Sequence, residues 1–405
     1  MKCECGIRNG VTKRTAHWRL LIRGTFFGII LLSVAVGPGI CQEESTAGQE
    51  VTAGSQEETH VPPWEPERQA LVAKGVDYLR GQQRENGSFS QSPRAGVGTS
   101  VIALMGLLRS GLTPDDPTVA RGLRFLQSAV REDGGIYSGG GQIASYESCL
   151  ALACFQLAKE VSGTSDYDAI LANGERFLRS QQYSEENGTT QEDVRYGGVG
   201  YGTNSRPDLS NTQFFVETLH ELGADETDEA IQRALVFVSR CQNLETPANT
   251  TRFAAANNDG GFYYTCVGDG ESPAGEVNGG LRSYGSITYA GLKSMIYAGL
   301  DASDPRVLAA SGWLRENYSL AENPGLGRRG LYYYYHTMSK TLDTLGNDSF
   351  EDAAGIQHNW KQEMVQALAA AQAEDGSWVN DNRMWMENDP VLVTGYALIV
   401  LDHCR

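Results

Sequence analysis

Several polar residues near the predicted starts of buried helices could carry out acid–base chemistry. Arg282 offers a fixed cation, Tyr284 a phenol, His336 an imidazole and Asn211 an amide. Groups of these types can neutralise a carboxylate on a substrate and move a proton beside it. Tyr334, within a run of four tyrosines, is a further candidate because a phenol both donates and accepts hydrogen bonds. The sequence predicts candidates for catalysis here without assigning a role to any of them.

Three carboxylates near the same helix starts could instead work as an acid and a base. They are Asp208, Glu147 and Asp389, and such a pair would suit the hydrolysis of a glycosidic bond. Asp208 also stands where a helix would be capped, because a short acidic side chain can accept a hydrogen bond from the first backbone N–H groups. Both interpretations of Asp208 stay open at this point.

The tyrosine run from Tyr332 to Tyr335 is the densest aromatic segment of the chain. Successive helical residues point in different directions, so at most two of the four can face a central cavity. Candidates for ligand contact share a position in the first turns of the buried helices: Tyr146, Glu147, Tyr332, Tyr335 and Asp389, with Thr394 beside them.

These candidates are placed by a turn that returns along the chain. Each copy follows a helix that ends in Gln or a substitute, contains glycine and precedes an apolar stretch. The six copies are Asn86-Gly87-Ser88 after Gln83, Asp133-Gly134-Gly135 after Gln127, Tyr196-Gly197-Gly198 after Gln182, Asp259-Gly260-Gly261 after Gln242, Gly330-Leu331 after Asn317, and Asp375-Gly376-Ser377 after Gln372.

Two kinds of helix alternate around the turns. The helices before them have one apolar face and should lie outside; they are predicted over residues 67–83, 116–130, 166–182, 227–241, 304–317 and 358–372. The helices after the turns are apolar on nearly all sides and should form an inner wall; they are predicted over 97–108, 145–157, 211–222, 284–298, 331–342 and 390–401. Asp116-Pro117 and Asp304-Pro305 mark two helix starts.

A unit of this kind covers its neighbour's apolar face, and six units suffice to close a ring. The sequence therefore predicts an all-α protein, an (α/α)6 toroid of six helix pairs around a central cavity. Because the inner helices begin on the side of the turns, their N-termini should surround one mouth of the cavity with partial positive charge.

The order of outer helix, Gln, Asp-Gly turn, aromatic residue and apolar inner helix resembles the repeat of the squalene cyclase and protein prenyltransferase family. The resemblance covers about residues 67 to 403. It implies an α/α toroid around a central cavity, but a fold does not by itself imply an activity.

The catalytic signatures of that family are incomplete here. The Asp-x-Asp-Asp run of the cyclases is absent, and its nearest approach, Asp115-Asp116, is explained by helix capping. The zinc ligands of the prenyltransferases would fall at Arg282 and Tyr284, and arginine cannot bind zinc. Only Tyr335-His336-Thr337 matches, and one histidine does not make a zinc site. We therefore expect no metal and no cofactor.

The favoured hypothesis is a non-catalytic or uncharacterised cavity protein that binds an apolar, peptide or glycan ligand, or a partner, in the central cavity. One alternative is a divergent terpenoid-cyclase-like enzyme, which needs a buried carboxylic acid in an apolar lumen. The other is a polysaccharide lyase on an α/α toroid, in which Arg282, Tyr284 and His336 would have to converge.

The N-terminal segment has a different composition. Six basic residues precede an uncharged stretch from Gly24 to Cys41, which is typical of a signal peptide; an uncleaved anchor is the alternative. Residues 42–66, rich in Glu, Thr, Ser, Gly and Gln, predict a disordered acidic linker, and residues 67–405 the toroid. The sequence thus predicts an exported protein: periplasmic, on the cell surface or secreted.

Charge and cysteines limit the partners. The formal net charge is −17, and removal of residues 1–41, with six basic residues and one acidic residue, would make it about −22, which disfavours nucleic acid and anionic lipid. Five cysteines lie beyond residue 41, without the close pairs of a zinc site. If a disulfide forms, Cys241 with Cys266 is the pair we expect.

Overall fold

The computed structural model describes residues 61–90 and 96–405. The predicted signal peptide and most of the predicted linker lie outside these residues. Thirteen α-helices occupy the described chain. The six outer helices are α1 (Glu65–Gln82), α3 (Pro117–Ser128), α5 (Asp168–Ser180), α7 (Glu229–Arg240), α10 (Pro305–Glu316) and α12 (Trp360–Ala371). The six inner helices are α2 (Gly96–Arg109), α4 (Ala144–Ser162), α6 (Leu209–Glu221), α9 (Gly285–Tyr297), α11 (Leu331–Thr344) and α13 (Pro390–His403). The remaining helix, α8 (Ala254–Asn257), is one turn long.

The inner helices form a closed ring. Each packs against the next in chain order, and α13 packs against α2 to complete the circle. Most outer helices lie against the inner helix that precedes them, so α3 covers α2, and α1 covers the last inner helix, α13; α12 instead packs against α1 and α13. The predicted all-α toroid of six helix pairs is confirmed. Among the described residues, no helix is long and apolar enough to cross a membrane.

Burial follows the two kinds of helix. In α5 only Leu171, Gly174, Phe177 and Leu178 are buried, which is one face of the helix. In α13 nearly every residue is buried, because outer helices cover it on one side and its ring neighbours on the other. The apolar patterns are therefore the direct cause of the two layers.

The glutamine that ends the outer helices joins neighbouring repeats. The Gln242 side-chain amide donates to the carbonyl of Gly260 in its own turn at 2.9 Å, and to that of Arg306 in the next outer helix at 2.9 Å. Gln83, Gln182 and Gln372 make equivalent pairs. In the second repeat Val130, and not Gln127, lies four residues before the turn glycine, and Gln127 is exposed.

The turn residues are explained by the backbone. Gly376 has a φ of +88°, and a Cβ there would lie 2.5 Å from the carbonyl oxygen of Lys74 in the next outer helix. Asp375 accepts a hydrogen bond from Ser377 N at 3.0 Å. The acidic residues of the repeat are thus turn formers, and glycine is needed both for its conformation and for the close approach.

A hydroxyl in each of five inner helices fixes the segment after the turn. Thr394 Oγ1 accepts from Trp378 N at 3.1 Å, and Thr288 Oγ1 accepts from Phe262 N at 3.1 Å. Ser100, Ser148 and Thr212 have the same role. Thr394 was a candidate for the site, and the structure gives it this backbone contact instead.

The two ends of the folded chain meet where the ring closes. Trp64 Nε1 donates to the carbonyl of Cys404 at 3.0 Å, and Arg68 Nη1 to that of Leu401 at 3.2 Å. Helix α1 begins at Glu65, two residues before the predicted start of the toroid. Residues 61–66, assigned by the sequence to a disordered linker, therefore belong to the folded part.

Within the described residues, two short hairpins lie between helices of the ring. Strands β1 (Glu276–Val277) and β2 (Gly280–Leu281) pair antiparallel, as do β3 (Phe350–Glu351) and β4 (Gln357–His358). The first hairpin belongs to the glycine-rich segment between α8 and α9, beside one mouth of the ring. The five cysteines of the described chain are buried and free. Cys241 and Cys266 are in contact, but the disulfide expected between them is not present.

Candidate functional site

The N-terminal ends of the inner helices surround a cavity of about 580 Å³. Its wall is rich in aromatic residues and consists of Gly98, Thr99, Ile143, Tyr146, Glu147, Tyr201, Ser210, Phe214, Tyr264, Glu271, Pro273, Tyr284, Tyr333, Trp385, Met386, Glu387, Leu392 and Tyr396. Its size is within the range of small-molecule sites. We call it the aromatic cavity.

The rings of this wall contact one another at an angle. The Tyr146 ring lies 5.4 Å from that of Phe214, inclined by 75°, and 6.0 Å from that of Tyr201, inclined by 60°. Tyr333 lies 6.2 Å from Phe214 and 6.4 Å from Trp385. Because neighbouring rings are inclined and not stacked in parallel, they form walls around a space.

Glu147 and Glu387 belong to the lining, yet backbone N–H groups hold both carboxylates. Glu147 accepts from Gly98 N at 3.0 Å, near the start of α2, and from Ser138 N at 2.8 Å. Glu387 accepts from Tyr333 N at 2.8 Å, in the first turn of α11. Burial raises the pKa of Glu387, and these hydrogen bonds oppose the rise. Both residues therefore cap a helix of another repeat.

Asp208 lies behind the wall as the N-cap of α6. It accepts from Asn211 N and from Asn211 Nδ2, both at 2.8 Å, and Tyr264 also hydrogen-bonds to it. Burial raises the pKa of Asp208 to about 6, against the effect of these hydrogen bonds. Asn211 Oδ1 has no protein partner. The capping interpretation of Asp208 is the one that the geometry supports.

The mouth of the cavity carries a lip, which we define as residues Met384–Met386. Trp385 has a φ of 53° and Met386 a φ of 65°, and both side chains are exposed by about two-fifths. Two consecutive left-handed residues that are not glycine store strain, which is characteristic of functional sites. Gly330 accommodates the lip, since a Cβ there would lie 2.2 Å from the Trp385 ring.

The opposite end of the ring is ionic. Glu217, Lys293 and Lys340 are buried together, with Lys293 ion-paired to Glu217, and Lys340 lying 2.8 Å from Glu221 and 3.4 Å from Glu217. Burial would raise the pKa of Glu217, but the two ammonium groups outweigh it and lower the pKa. A second cavity of about 360 Å³ lies beyond, with Arg109, Glu160, His220, Asp343 and His403 in its lining. We call Glu217, Glu221, Lys293 and Lys340 the ionic cluster.

The structure does not bring Arg282, Tyr284 and His336 together. Arg282 is exposed outside the cavity lining, whereas Tyr284 is in the wall. His336 is buried towards the ionic cluster, where burial lowers its pKa to about 3, and its Nδ1 has no protein partner. The convergence that a lyase would require is thus absent, because the chain places the three residues at the rim, in the wall and deep in the lumen.

Only one member of the tyrosine run lines the cavity, and it is Tyr333. Tyr334 and Tyr335 donate to the carbonyls of Ser319 and Leu320, and Tyr332 packs edge-on against Tyr335. Tyr334 and Tyr335 therefore fix α11 to the preceding loop, and none of Tyr332, Tyr334 and Tyr335 lines the aromatic cavity. Asp389, also a candidate, caps α13 by accepting from Val391 N at 3.0 Å.

Of the sequence candidates, Tyr146, Glu147 and Tyr284 line the cavity. Sequence reasoning missed most of the other aromatic residues: Tyr201, Phe214, Tyr264, Trp385 and Tyr396. One signal was available, since Phe214 and Tyr396 each follow by two residues the threonine that binds the preceding turn. No comparable pattern marks the loop residues Tyr201, Tyr264 and Trp385.

Comparisons with known proteins support the fold. No family model matches the chain, and no curated protein does. Among solved structures, the type II terpene cyclase MstE from Scytonema is similar with a TM-score of 0.52 at 11% identity, covering 83% of this chain and 97% of the other. An unsaturated glucuronyl hydrolase specific for heparin is similar with a TM-score of 0.52 at 12% identity, covering 84% and 97%. At this identity the likeness shows only the α/α toroid fold, and an activity does not follow from a fold.

Proposed function

We propose that this protein binds, without transforming it, an organic ligand with an apolar body inside the aromatic cavity. The observation that carries the proposal is the composition of the wall. Six tyrosines, Phe214 and Trp385 belong to the lining, and such rings bind ligands through large apolar contact areas with few polar groups at the edges.

Catalysis receives little support from the same wall. Glu147 and Glu387 accept hydrogen bonds from backbone N–H groups, so their carboxylate oxygens are already engaged by the protein. Among the described lining residues there is no histidine, lysine, arginine or cysteine. The described wall therefore offers none of the imidazole, ammonium, guanidinium or thiol groups that often serve in acid–base or nucleophilic catalysis.

The test is to fill the cavity without removing any of its rings. Leu392 lines the cavity and is nearly buried, whereas Leu308 is 58% exposed on outer helix α10. We expect wild type and Leu308→Trp to bind the neutral dye N-phenyl-1-naphthylamine with a rise in fluorescence. Leu392→Trp, if folded by circular dichroism, should lose that binding by tenfold or more. Equal binding by both variants would refute the cavity as the site.

A divergent cyclase is the second candidate, favoured by one observation. Glu387 is a buried carboxyl in an aromatic wall, and its pKa is raised by burial, as a proton donor to an alkene would require. Incubation with geranylgeraniol and with squalene, followed by mass spectrometry and chromatography for isomeric cyclic products, tests it. Product formation that Glu387→Gln abolishes would establish the enzyme and overturn the binding proposal.

Export is part of the proposal and rests on the sequence. Six basic residues before the uncharged stretch from Gly24 to Cys41 support it. Fusion of residues 1–66 to a reporter that is active only outside the cytoplasm should give activity. Replacement of Phe26 and Leu31 by aspartate should abolish that activity, because the apolar segment would be lost.

A further inference from the structure

The charge of the aromatic cavity selects the kind of ligand it can accept. Glu147, Glu271 and Glu387 are in the lining, and no basic side chain of the described chain joins them. Backbone N–H groups offset Glu147 and Glu387 in part, because a helix N-terminus carries about half a positive charge, and Glu271 is paired with Arg206. The described lining thus supplies carboxylates and no basic side chain, which disfavours an anionic ligand.

The nearest cations are at the rim and are already engaged. Arg206 is ion-paired with Glu271, and Arg329 donates to the carbonyl of Pro273 at 3.1 Å. On the far side, Lys293 and Lys340 are held by Glu217 and Glu221. No described cation is thus placed to neutralise a carboxylate or a phosphate inside the cavity.

The inclined rings favour a cationic ligand for a second reason, which does not depend on the carboxylates. An aromatic face is electron-rich, so a cation within about 6 Å of the ring centre is attracted to it. Tyr146, Phe214, Tyr333 and Trp385 are consecutive neighbours with centres 5.4 to 6.4 Å apart. The four rings therefore form a continuous aromatic surface, and a rounded, weakly hydrated cation lying against it would contact more than one ring.

We infer that the aromatic cavity recognises an organic cation, an alkylated ammonium group carried on an apolar body. This inference rests on the proposed binding function and specifies its ligand class. The rings would surround the ammonium group, while Glu147 and Glu387 supply the long-range attraction without direct ion pairing, because their oxygens remain bound to backbone N–H groups.

Three probes of nearly the same shape and different charge test the inference. They are choline, the neutral 3,3-dimethylbutan-1-ol and the anion 3,3-dimethylbutanoate, each titrated against the full chain by calorimetry and by displacement of N-phenyl-1-naphthylamine. We expect choline to bind at least tenfold more tightly than the neutral alcohol, and the anion to bind most weakly.

A matched pair of variants on α11 locates the binding. Tyr333 is in the wall, and Tyr335 points away from it. Tyr333→Leu should weaken choline binding tenfold or more and leave the rank of the other two probes unchanged, whereas Tyr335→Leu should retain wild-type affinity. If Tyr333→Leu does not fold, Trp385→Ala on the exposed lip replaces it, with an expected loss of about threefold.

The outcomes separate the inference from the function on which it rests. If the neutral alcohol or the anion binds as tightly as choline, or if choline displaces no dye, the cation inference is overturned while dye binding that Leu392→Trp abolishes still supports the cavity function. If neither dye nor any probe binds, both are overturned. Choline binding that is indifferent to Tyr333→Leu and to Trp385→Ala also overturns the inference.

Discussion

The two ends of the lumen, formed by the same six inner helices, differ in which polar groups they contain and in how those groups are satisfied. At the N-terminal end, polar backbone groups are capped by carboxylates from other repeats, and the side chains leave a cavity of about 580 Å³ between aromatic rings. At the C-terminal end, side-chain charges neutralise one another in the ionic cluster, beside a second cavity of about 360 Å³. One end presents aromatic rings to its cavity, and the other presents paired charges.

This difference predicts which property of the protein a substitution at each end should affect. Buried charges are stable only as a set, because a single partner left alone has neither water nor a counter-charge. Aromatic residues around a cavity are less interdependent, since each contributes contact area separately. We therefore expect substitutions at the ionic end to affect the free energy of unfolding, and substitutions at the aromatic end to affect binding.

The largest effect should come from Glu217→Ala. It leaves the buried Lys293 ammonium group without its carboxylate, and we expect a loss of about 3–5 kcal/mol in the free energy of unfolding. Urea denaturation followed by circular dichroism measures it. Glu175→Ala, which breaks a half-exposed pair with Arg179, should cost less than about 1 kcal/mol. The double variant Glu217→Leu, Lys293→Met should be less damaging than Glu217→Ala; if it is worse, the cluster is not held by mutual neutralisation.

Asp208→Asn should have the next largest effect on the free energy of unfolding, and the size of that effect should depend on pH. The folded-state pKa of Asp208 lies above its ordinary value, so the folded protein retains a proton that the unfolded chain loses, and stability falls as pH rises from about 4 to 6. The amide cannot ionise and can still accept from Asn211 N. We expect the variant to remove this fall, a gain of about 2–3 kcal/mol at pH 7 relative to pH 4. Urea denaturation at four pH values checks it, and an unchanged pH profile would contradict it.

A smaller effect on the free energy of unfolding is expected where the ring closes. Gln372 donates to the carbonyls of Leu71 and Gly376, and Gln372→Ala should cost about 1–2 kcal/mol. Gln127→Ala, at the exposed glutamine of the second repeat, should cost nearly nothing. Comparable losses in the two variants would show that these hydrogen bonds do not stabilise the ring.

The smallest effect should be a gain at the lip. Met386 has a left-handed backbone with an exposed side chain, and Met386→Gly removes that conformational cost. We expect a stabilisation of up to about 1 kcal/mol, measured as a rise in Tm, together with weaker dye binding because a contact at the mouth is lost. A fall in Tm would show that the side chain contributes more than the backbone strain costs.

The sequence predicted the scaffold well for a physical reason. Turn glycines, capping aspartates and apolar faces act over a few residues, so Asp116 and Asp304 mark the same helix starts in the sequence and in the structure. Six repetitions of such local signals define both layers. Gln127 was misplaced because its helix ends differently, and the equivalent position belongs to Val130.

The site was predicted less well because a residue lines the cavity according to where its side chain points, and the residue type does not reveal that. Tyr332, Tyr333 and Tyr335 are chemically identical, and only the rotation of α11 separates the one that lines the cavity from the two that do not. Trp385 reaches the mouth through a strained backbone that no local pattern announces. Arg282 and His336 are polar and near the expected position, but one lies at the rim and the other deep in the lumen.

The closure of the ring through Trp64 and Cys404 has a consequence for the order of the chain. Since the first and last helices meet as any two neighbours do, the folded ring has no position that must come first. A circular permutant, with residue 405 joined to residue 61 by a short peptide and new termini opened in the loop after Gly163, would keep every helix pair. During synthesis, in contrast, the order of the helices matters, because the apolar face of α1 stays uncovered until α13 has been made.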